Sequence, residues 1–187
     1  MHTLMKPIPV REELLKRGVG IFTPQDFQRI FRTTDSRTKY FLEEYTKGGL
    51  FLRLKKGLYM LRTDPLPEEE IANRLYRPSY ISLEYAMATY NLLLEMPYSI
   101  TSATTKPTRT FTVGEKTFSY STIKREAFIG YTPVKRAGRT ILIAQPEKAL
   151  VDYLYFEQEL KEFLPRSHWA IMRSFPASLE REIERFL

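Results

Sequence analysis

The sequence predicts an α+β fold in which a winged helix-turn-helix is followed by a mixed domain with helices and an antiparallel sheet. Three short helical patterns and a hairpin pattern fill the chain up to residue 62, and alternating β-branched and aromatic runs fill residues 98–144. Between them, Thr63–Pro67 holds two prolines, which is typical of a boundary. We therefore expect one domain at residues 1–63 and a second at residues 64–187.

The first two helices are predicted from their caps and their apolar spacing. The first spans residues 11–17, with Leu14 and Leu15 directed inward. The second begins at Pro24, because proline favours the first helical position, and Thr23 supplies its N-cap. Apolar residues at i, i+3 and i+4 give the second helix a face for the core: Phe27, Ile30 and Phe31.

The third helix is predicted to have Asp35 or Ser36 as its N-cap and to end at Gly48-Gly49, because glycine tolerates the left-handed conformation that follows a helix. Two apolar runs then flank Lys55-Lys56-Gly57, which predicts a β-hairpin with a basic tip. A helix, a glycine stop and a basic hairpin follow the order of a recognition helix and its wing. This segment therefore predicts contact with DNA.

The candidate DNA contacts lie on the third helix, at the hairpin tip and at the start of the second helix. Those on the recognition helix are Ser36, Arg37, Thr38, Lys39 and Tyr40. Among them, Arg37 and Lys39 are the best candidates for base edges or phosphates, since Arg contacts guanine bidentately in a major groove. Those in the wing, for phosphate or the minor groove, are Arg53, Lys55 and Lys56. Those for the DNA backbone at the second helix are Thr23, Gln25 and Arg29. The alternatives are a solvated helix face, which Glu43 and Glu44 favour, and a solubilising turn.

The distribution of charge supports a nucleic-acid partner for the N-terminal domain. Residues 1–63 hold 13 Lys and Arg against 6 Asp and Glu, whereas residues 64–187 hold 16 against 16. The whole net charge of +7 therefore lies in the third of the chain that contains the predicted helix and wing. A merely solvated surface would spread this charge more evenly.

The second domain is predicted to begin with two helices, one opening at Glu68 and ending at Pro78 and one capped by Ser82. Five extended runs between residues 98 and 144 then predict an antiparallel sheet of four or five strands. A helix is expected from Pro146, and a final helical stretch after Pro165.

A second basic surface is possible in the predicted sheet. Its residues are Lys106, Arg109, Lys116, Lys124, Arg125, Lys135, Arg136 and Arg139. Such a surface could extend a DNA footprint or bind another anion, including RNA. Alternatively, these cations protect strand edges from pairing with other chains.

Composition and motifs argue against an enzyme and against a cofactor. The chain has no Cys, which excludes disulfides and thiolate metal sites, and its only histidines are His2 and His168. No His, Asp or Glu group has metal-ligand spacing, and no glycine-rich phosphate loop occurs. Glu147 and Asp152 are not on one helix face, and pairing with Lys148 or simple solvation accounts for them. No long apolar run or signal core occurs, so we expect a cytoplasmic protein with no membrane partner.

Beyond these patterns, the chain resembles the AbiEi-type antitoxins, which regulate the transcription of abortive-infection toxin–antitoxin operons. The matching stretches run in the family's order from about residue 20 to residue 157, and the match is less clear after Phe156. They are LKKGLYMLR, IANRLYRPSYISLEYAMATYNLL, SITSATTKPTRTFTVGEKTFSY, FIGY and IAQPEKALVDYLYF.

The resemblance implies an N-terminal winged helix that binds operator DNA with inverted repeats, and a C-terminal domain needed for antitoxicity and cooperative binding. It implies a nucleotidyltransferase-like toxin as functional partner without a stable complex, and a monomer or weak dimer that is cooperative on DNA. It supplies no catalytic residue. The alternative is a protein- or RNA-interaction module that the winged helix only tethers to DNA.

Overall fold

The elements of the computed structural model fall into two units, and the structure describes residues 6–136 and 138–156. The first unit extends to Leu75 and includes residues 113–115, and the second comprises the chain from Tyr76 to Thr112 and from Lys116 onward. The division lies twelve residues after the predicted boundary at residue 63, because the helix Glu68–Leu75 belongs to the first unit. The predicted final helix and His168 lie outside the described residues.

The first unit holds four helices and a small sheet in the residues that are described. Its elements are α1 (Pro7–Lys16), β1 (Ile21–Phe22), α2 (Pro24–Phe31), α3 (Asp35–Lys47), β2 (Phe51–Lys55), β3 (Leu58–Leu61) and α4 (Glu68–Leu75). The three strands form an antiparallel sheet in the order β1-β3-β2. The hairpin of β2 and β3, the start of α2 at Pro24 and the end of α3 before Gly48 confirm the predicted elements.

Four local features of this unit differ from the predictions. The strand β1 was missed, because two residues are too short to show a period. The first helix begins at Pro7 instead of residue 11, and Leu15 on it is 40% exposed while Leu14 is fully buried. Adjacent residues are about 100° apart around a helix, and on α1 the buried side is marked by Val10 and Leu14, which are four residues apart. At α3, Thr34 occupies the N-cap position and Asp35 is the first helical residue.

An aromatic core joins the helices of the first unit to its sheet. The ring of Phe27 on α2 lies 5.9 Å from Phe22 on β1 and 5.5 Å from Phe41 on α3, and Phe51 on β2 lies 5.4 Å from Phe22. Each of the four rings is at most 5% exposed. Burying a side chain of this size stabilises a fold by about 1.5–3 kcal/mol, so this cluster fixes α3 relative to the hairpin.

The second unit places helices against a six-stranded sheet whose order is β6-β7-β5-β4-β9-β8. Its elements are β4 (Ser79–Ile81), α5 (Leu83–Thr89), β5 (Ile100–Thr104), β6 (Arg109–Val113), β7 (Lys116–Thr122), a 3₁₀ turn (Arg125–Ala127), β8 (Tyr131–Arg136), β9 (Arg139–Ala144) and α6 (Pro146–Phe156). The α+β class is thereby confirmed for the described chain.

The sheet of the second unit is mixed, so the prediction of an antiparallel sheet was wrong. The strand β4 pairs in parallel with β9, and β5 pairs in parallel with β7, while β4–β5 and β8–β9 are antiparallel. Both parallel pairs join strands that are not consecutive in the chain, and residue alternation does not reveal such partners. The strand β4 was also missed, because only three residues separate Pro78 from Ser82.

Candidate nucleic-acid interface

The exposed side of α3 presents most of the residues predicted for the recognition helix. Ser36, Arg37, Lys39 and Tyr40 are exposed, with the Tyr40 side chain 67% exposed. Thr38 is fully buried, and its hydroxyl donates a hydrogen bond of 2.9 Å to the carbonyl oxygen of Thr34. Thr38 therefore faces the core and leaves the set of candidate contacts.

The helical period places the four exposed residues at different angles around α3. Residues four apart lie nearly in line, so Ser36 and Tyr40 occupy the middle of the exposed side, opposite the buried Thr38. Arg37 and Lys39 lie on opposite flanks of this line, about 160° apart when the angle is taken through Ser36. The third helix thus presents a polar centre between two cations.

The cations of this surface are available for a ligand. Arg37, Lys39, Arg53 and Lys56 are exposed, and none forms an ion pair with another residue in the described ranges. Lys55 is half-buried and has contacts of its own. The sequence predicted five cations as DNA contacts, two on α3 and three on the hairpin. Four of these five side chains are exposed to solvent in the structure.

The hairpin tip is a tight turn through Lys56 and Gly57. Gly57 adopts a φ of 76°, in the left-handed region that favours glycine, and Lys55 pairs with Leu58 across the turn. The register shifts between Arg53 and Lys55, which marks a bulge. Every residue of β3 is buried, so the exposed cations of this hairpin come from β2 and the tip.

The N-terminus of α2 is already occupied by a carboxylate. The Thr23 hydroxyl accepts a hydrogen bond of 3.2 Å from the Asp26 N–H, and Asp26 Oδ2 accepts one of 3.0 Å from the Thr23 N–H. The hydrogen bonds from Thr23 hold the pKa of Asp26 below its usual value. Arg29 lies 2.7 Å from the same carboxylate, and Gln25 is exposed. Three residues were predicted to contact the DNA backbone here. In the structure Thr23 caps the helix and Arg29 forms an ion pair with Asp26, whereas Gln25 is exposed and has neither role.

A hydrogen bond between side chains supports the turn between α2 and α3. The Gln28 amide donates to Asp35 Oδ1 at 3.0 Å, and Arg32 between the helices adopts a left-handed φ of 49°. Because Asp35 is the first residue of α3, this contact fixes the start of that helix against α2. Sequence reasoning did not assign these residues a role, although Asp35 was recognised as a helix-start signal.

The second basic surface predicted in the sheet is divided between its two edges. Lys106 and Arg109 lie at the β6 edge, whereas Lys135 and Arg136 lie on β8, and four strands separate β6 from β8. At about 4.8 Å per strand, the two edges are roughly 24 Å apart. Arg139 lies on β9 beside β8, and Lys124 and Arg125 lie in the connection from β7 to β8. These residues therefore do not form a single surface.

A buried polar network in the second unit was missed by sequence reasoning. Asp152 on α6 is 2% exposed, and its Oδ2 accepts hydrogen bonds of 2.9 Å from the Tyr80 hydroxyl and 2.7 Å from the Ser82 hydroxyl. Lys148 Nζ lies 2.8 Å from Asp152 Oδ1. Burial, with the nearby Asp152 charge, raises the pKa of Tyr80. Two signals were present: Lys148 and Asp152 are four residues apart on a helix, and Tyr80 and Ser82 are two apart in extended chain.

This network accounts for Asp152 as a structural residue in the described chain. The pairing expected with Lys148 is present, and simple solvation, the other interpretation, does not apply because Asp152 is buried.

The described part of the chain brings no three His, Asp or Glu side chains together as a metal site would require. None of its helices has the length and apolar character needed to span a membrane.

The chain was compared with known proteins. It matches no protein-family model, and it matches no curated protein.

Proposed function

We propose that the protein is a sequence-specific repressor that binds double-stranded operator DNA through a winged helix-turn-helix in its first unit. The observation that carries the proposal is the exposed side of α3, with Arg37 and Lys39 unpaired in the described chain on either side of a polar line. The order α1-β1-α2-α3-β2-β3, with a basic hairpin tip directly after α3, supports it. So does the net charge of +7 in residues 1–63.

In this proposal, the central and the flanking residues of the exposed side of α3 make different contacts with DNA. With α3 in a major groove, Ser36 and Tyr40 face the base edges, and Arg37 and Lys39 face the two walls. Their reach allows them to contact a phosphate or a guanine near the wall. Arg53 and Lys56 on the hairpin contact the phosphate backbone outside the groove. The polar centre sets the sequence preference, and the flanks set orientation and affinity.

The antitoxin role is the second part of the proposal, and the resemblance of the sequence supports it. The repressor acts on the promoter of its own operon through inverted repeats, as a monomer or weak dimer that binds cooperatively. Its functional partner is a nucleotidyltransferase-like toxin encoded by the adjacent gene, with which it forms no stable complex. In this role it is cytoplasmic and needs neither a catalytic residue nor a cofactor.

Gel-shift titration of the full chain on the DNA upstream of its own gene tests the repressor. Wild type should bind this DNA more tightly than a shuffled duplex. Arg37→Ala combined with Lys39→Ala should lose at least about thirtyfold on the operator, since two groove contacts of about 1–3 kcal/mol each total at least about 2 kcal/mol. Equal affinity for both duplexes, or an unaffected double variant, would refute the proposal.

Two further variants separate the hairpin from the helix. Lys56→Ala should weaken binding to all duplexes alike and lower the slope of log affinity against log salt by about 0.9, because it removes one phosphate contact. Lys47→Ala is the charge-matched control, since it removes an exposed cation from the other end of α3, about 12 Å along the helix from Lys39. It should change operator affinity by less than about twofold.

Coexpression tests the antitoxin role separately from DNA binding. Expression of the neighbouring gene alone should arrest growth, and this protein supplied from a plasmid should restore it. Growth arrest that this protein does not relieve would refute the antitoxin role and leave the repressor intact.

A further inference from the structure

Three aromatic rings near the β6 edge of the second unit are each paired with a cation, two of them around β6 and the third at the starts of β5 and β7. The Lys106 ammonium lies 5.4 Å from the centre of the Tyr76 ring, the Arg109 guanidinium 5.6 Å from Phe111, and the Lys116 ammonium 5.1 Å from Tyr98. We call these six residues the aromatic–cation edge. The rings of Tyr76 and Phe111 are 5.5 Å apart, so two of the three pairs adjoin.

This edge is open to solvent and is poor in acidic residues. Lys106 and Arg109 are exposed, and the Tyr98 side chain is 62% exposed. No Asp or Glu occurs between Glu95 and Glu115. In the described sheet, β6 has a neighbouring strand only on the β7 side. Glu115 precedes Lys116 directly, so the part of the edge that a polyanion can approach without nearby negative charge in this stretch of sequence is the part around Lys106 and Arg109.

We propose that the aromatic–cation edge binds single-stranded nucleic acid. Its cations attract the phosphates, and the exposed ring of Tyr98 and the guanidinium plane over Phe111 offer flat surfaces on which unpaired bases stack. In a duplex the base faces are covered by neighbouring base pairs, so the aromatic rings cannot stack on them. The edge therefore prefers single strands, and this distinguishes it from the duplex-binding surface of the first unit.

The opposite edge of the same sheet provides the internal comparison. The strand β8 also carries an exposed cation, Lys135, which protection against strand pairing explains. Its ring Tyr131, however, stacks 4.6 Å from the buried Tyr80 and so belongs to the core. Edge protection accounts for cations at both edges, but it does not account for the cation–aromatic pairs found at β6. This difference supplies a matched control, Lys135→Ala on β8.

Fluorescence anisotropy of the full chain with labelled 12-mers of U and of dT tests the proposal. Wild type should bind at least one of them, and affinity should fall with salt. Tyr98→Ala should weaken binding about fivefold to a hundredfold, as expected for a lost stacking ring, and Tyr98→Phe should restore most of it. Arg109→Ala should act in the same direction, whereas Lys135→Ala should stay within about twofold of wild type. Tighter binding of U than of dT identifies RNA as the ligand, and equal binding identifies single strands of either kind.

The outcome is independent of the repressor proposal. Arg37→Ala with Lys39→Ala should lose operator binding and keep oligo-U binding, while Tyr98→Ala should do the reverse. Circular dichroism should show unchanged folding for Tyr98→Ala, because the side chain is exposed. Absence of binding to both oligomers at moderate salt, or equal affinities for Tyr98→Ala and Lys135→Ala, overturns the proposal.

Discussion

Asp152→Asn tests how far the buried polar network stabilises the second unit. The substitution keeps the size of the side chain and removes its charge. The amide oxygen still accepts a hydrogen bond from Tyr80 or Ser82, but Lys148, whose side chain is 12% exposed, loses its counter-charge. Removing one partner of a buried ion pair costs about 3–5 kcal/mol, so we expect a loss of about 4 kcal/mol. With a urea dependence of about 2 kcal/mol/M, the unfolding midpoint should fall by about 2 M.

The assay is urea unfolding of the full chain followed by far-UV circular dichroism, with hydrogen exchange of the β4 and α6 amides to identify the unit that opens. The control is Lys148→Met combined with Asp152→Asn, which leaves no buried charge unpaired and should recover at least about 1 kcal/mol relative to Asp152→Asn alone. If Asp152→Asn shifts the midpoint by less than about 0.5 M, or if the double variant is no more stable than it, the network does not stabilise the fold as argued.

Three smaller tests address a cap, a buried hydroxyl and two buried phenols. Thr23→Ala should cost about 1 kcal/mol in thermal unfolding, with Thr23→Ser nearly neutral; equal losses would contradict the capping role. Thr38→Val should leave operator affinity within about twofold, since this residue faces the core, and a tenfold loss would return it to the DNA contacts. Burial raises the pKa of Tyr80 and Tyr120, so the contribution of these phenols to stability should be constant below about pH 10 and fall above it, by at most about 1.4 kcal/mol per pH unit for each. Urea midpoints from pH 9 to 11 should show this, with a smaller slope in Tyr120→Phe, and an unchanged midpoint would refute it.

The sequence predicted best the features that depend on neighbouring residues. The start of α2 follows from Thr23 and Pro24, and the hairpin follows from Gly57 between two apolar runs, because caps and turns are local chemistry. The parallel partners β5 and β7 could not be predicted, since β7 lies between β5 and β6 in space although β6 precedes it in the chain. The prediction of a second basic surface failed for the same reason: it grouped Lys106 with Lys135, which the strand order places at opposite edges.

The structure separates cations that support the fold from cations that remain for a ligand, which the sequence alone does not do. Arg29 and Arg37 look alike in sequence, since each lies in a short helix near an acidic residue. In the structure, Arg29 forms an exposed ion pair of 2.7 Å with Asp26, whose carboxylate also completes the cap of α2. Arg37 has no such partner in the described chain, because Asp35 accepts its hydrogen bond from Gln28 instead. Arg32 at the α2–α3 turn is also exposed, but Arg37 is the cation that lies on the exposed side of α3, and this is why the proposed interface centres on that helix.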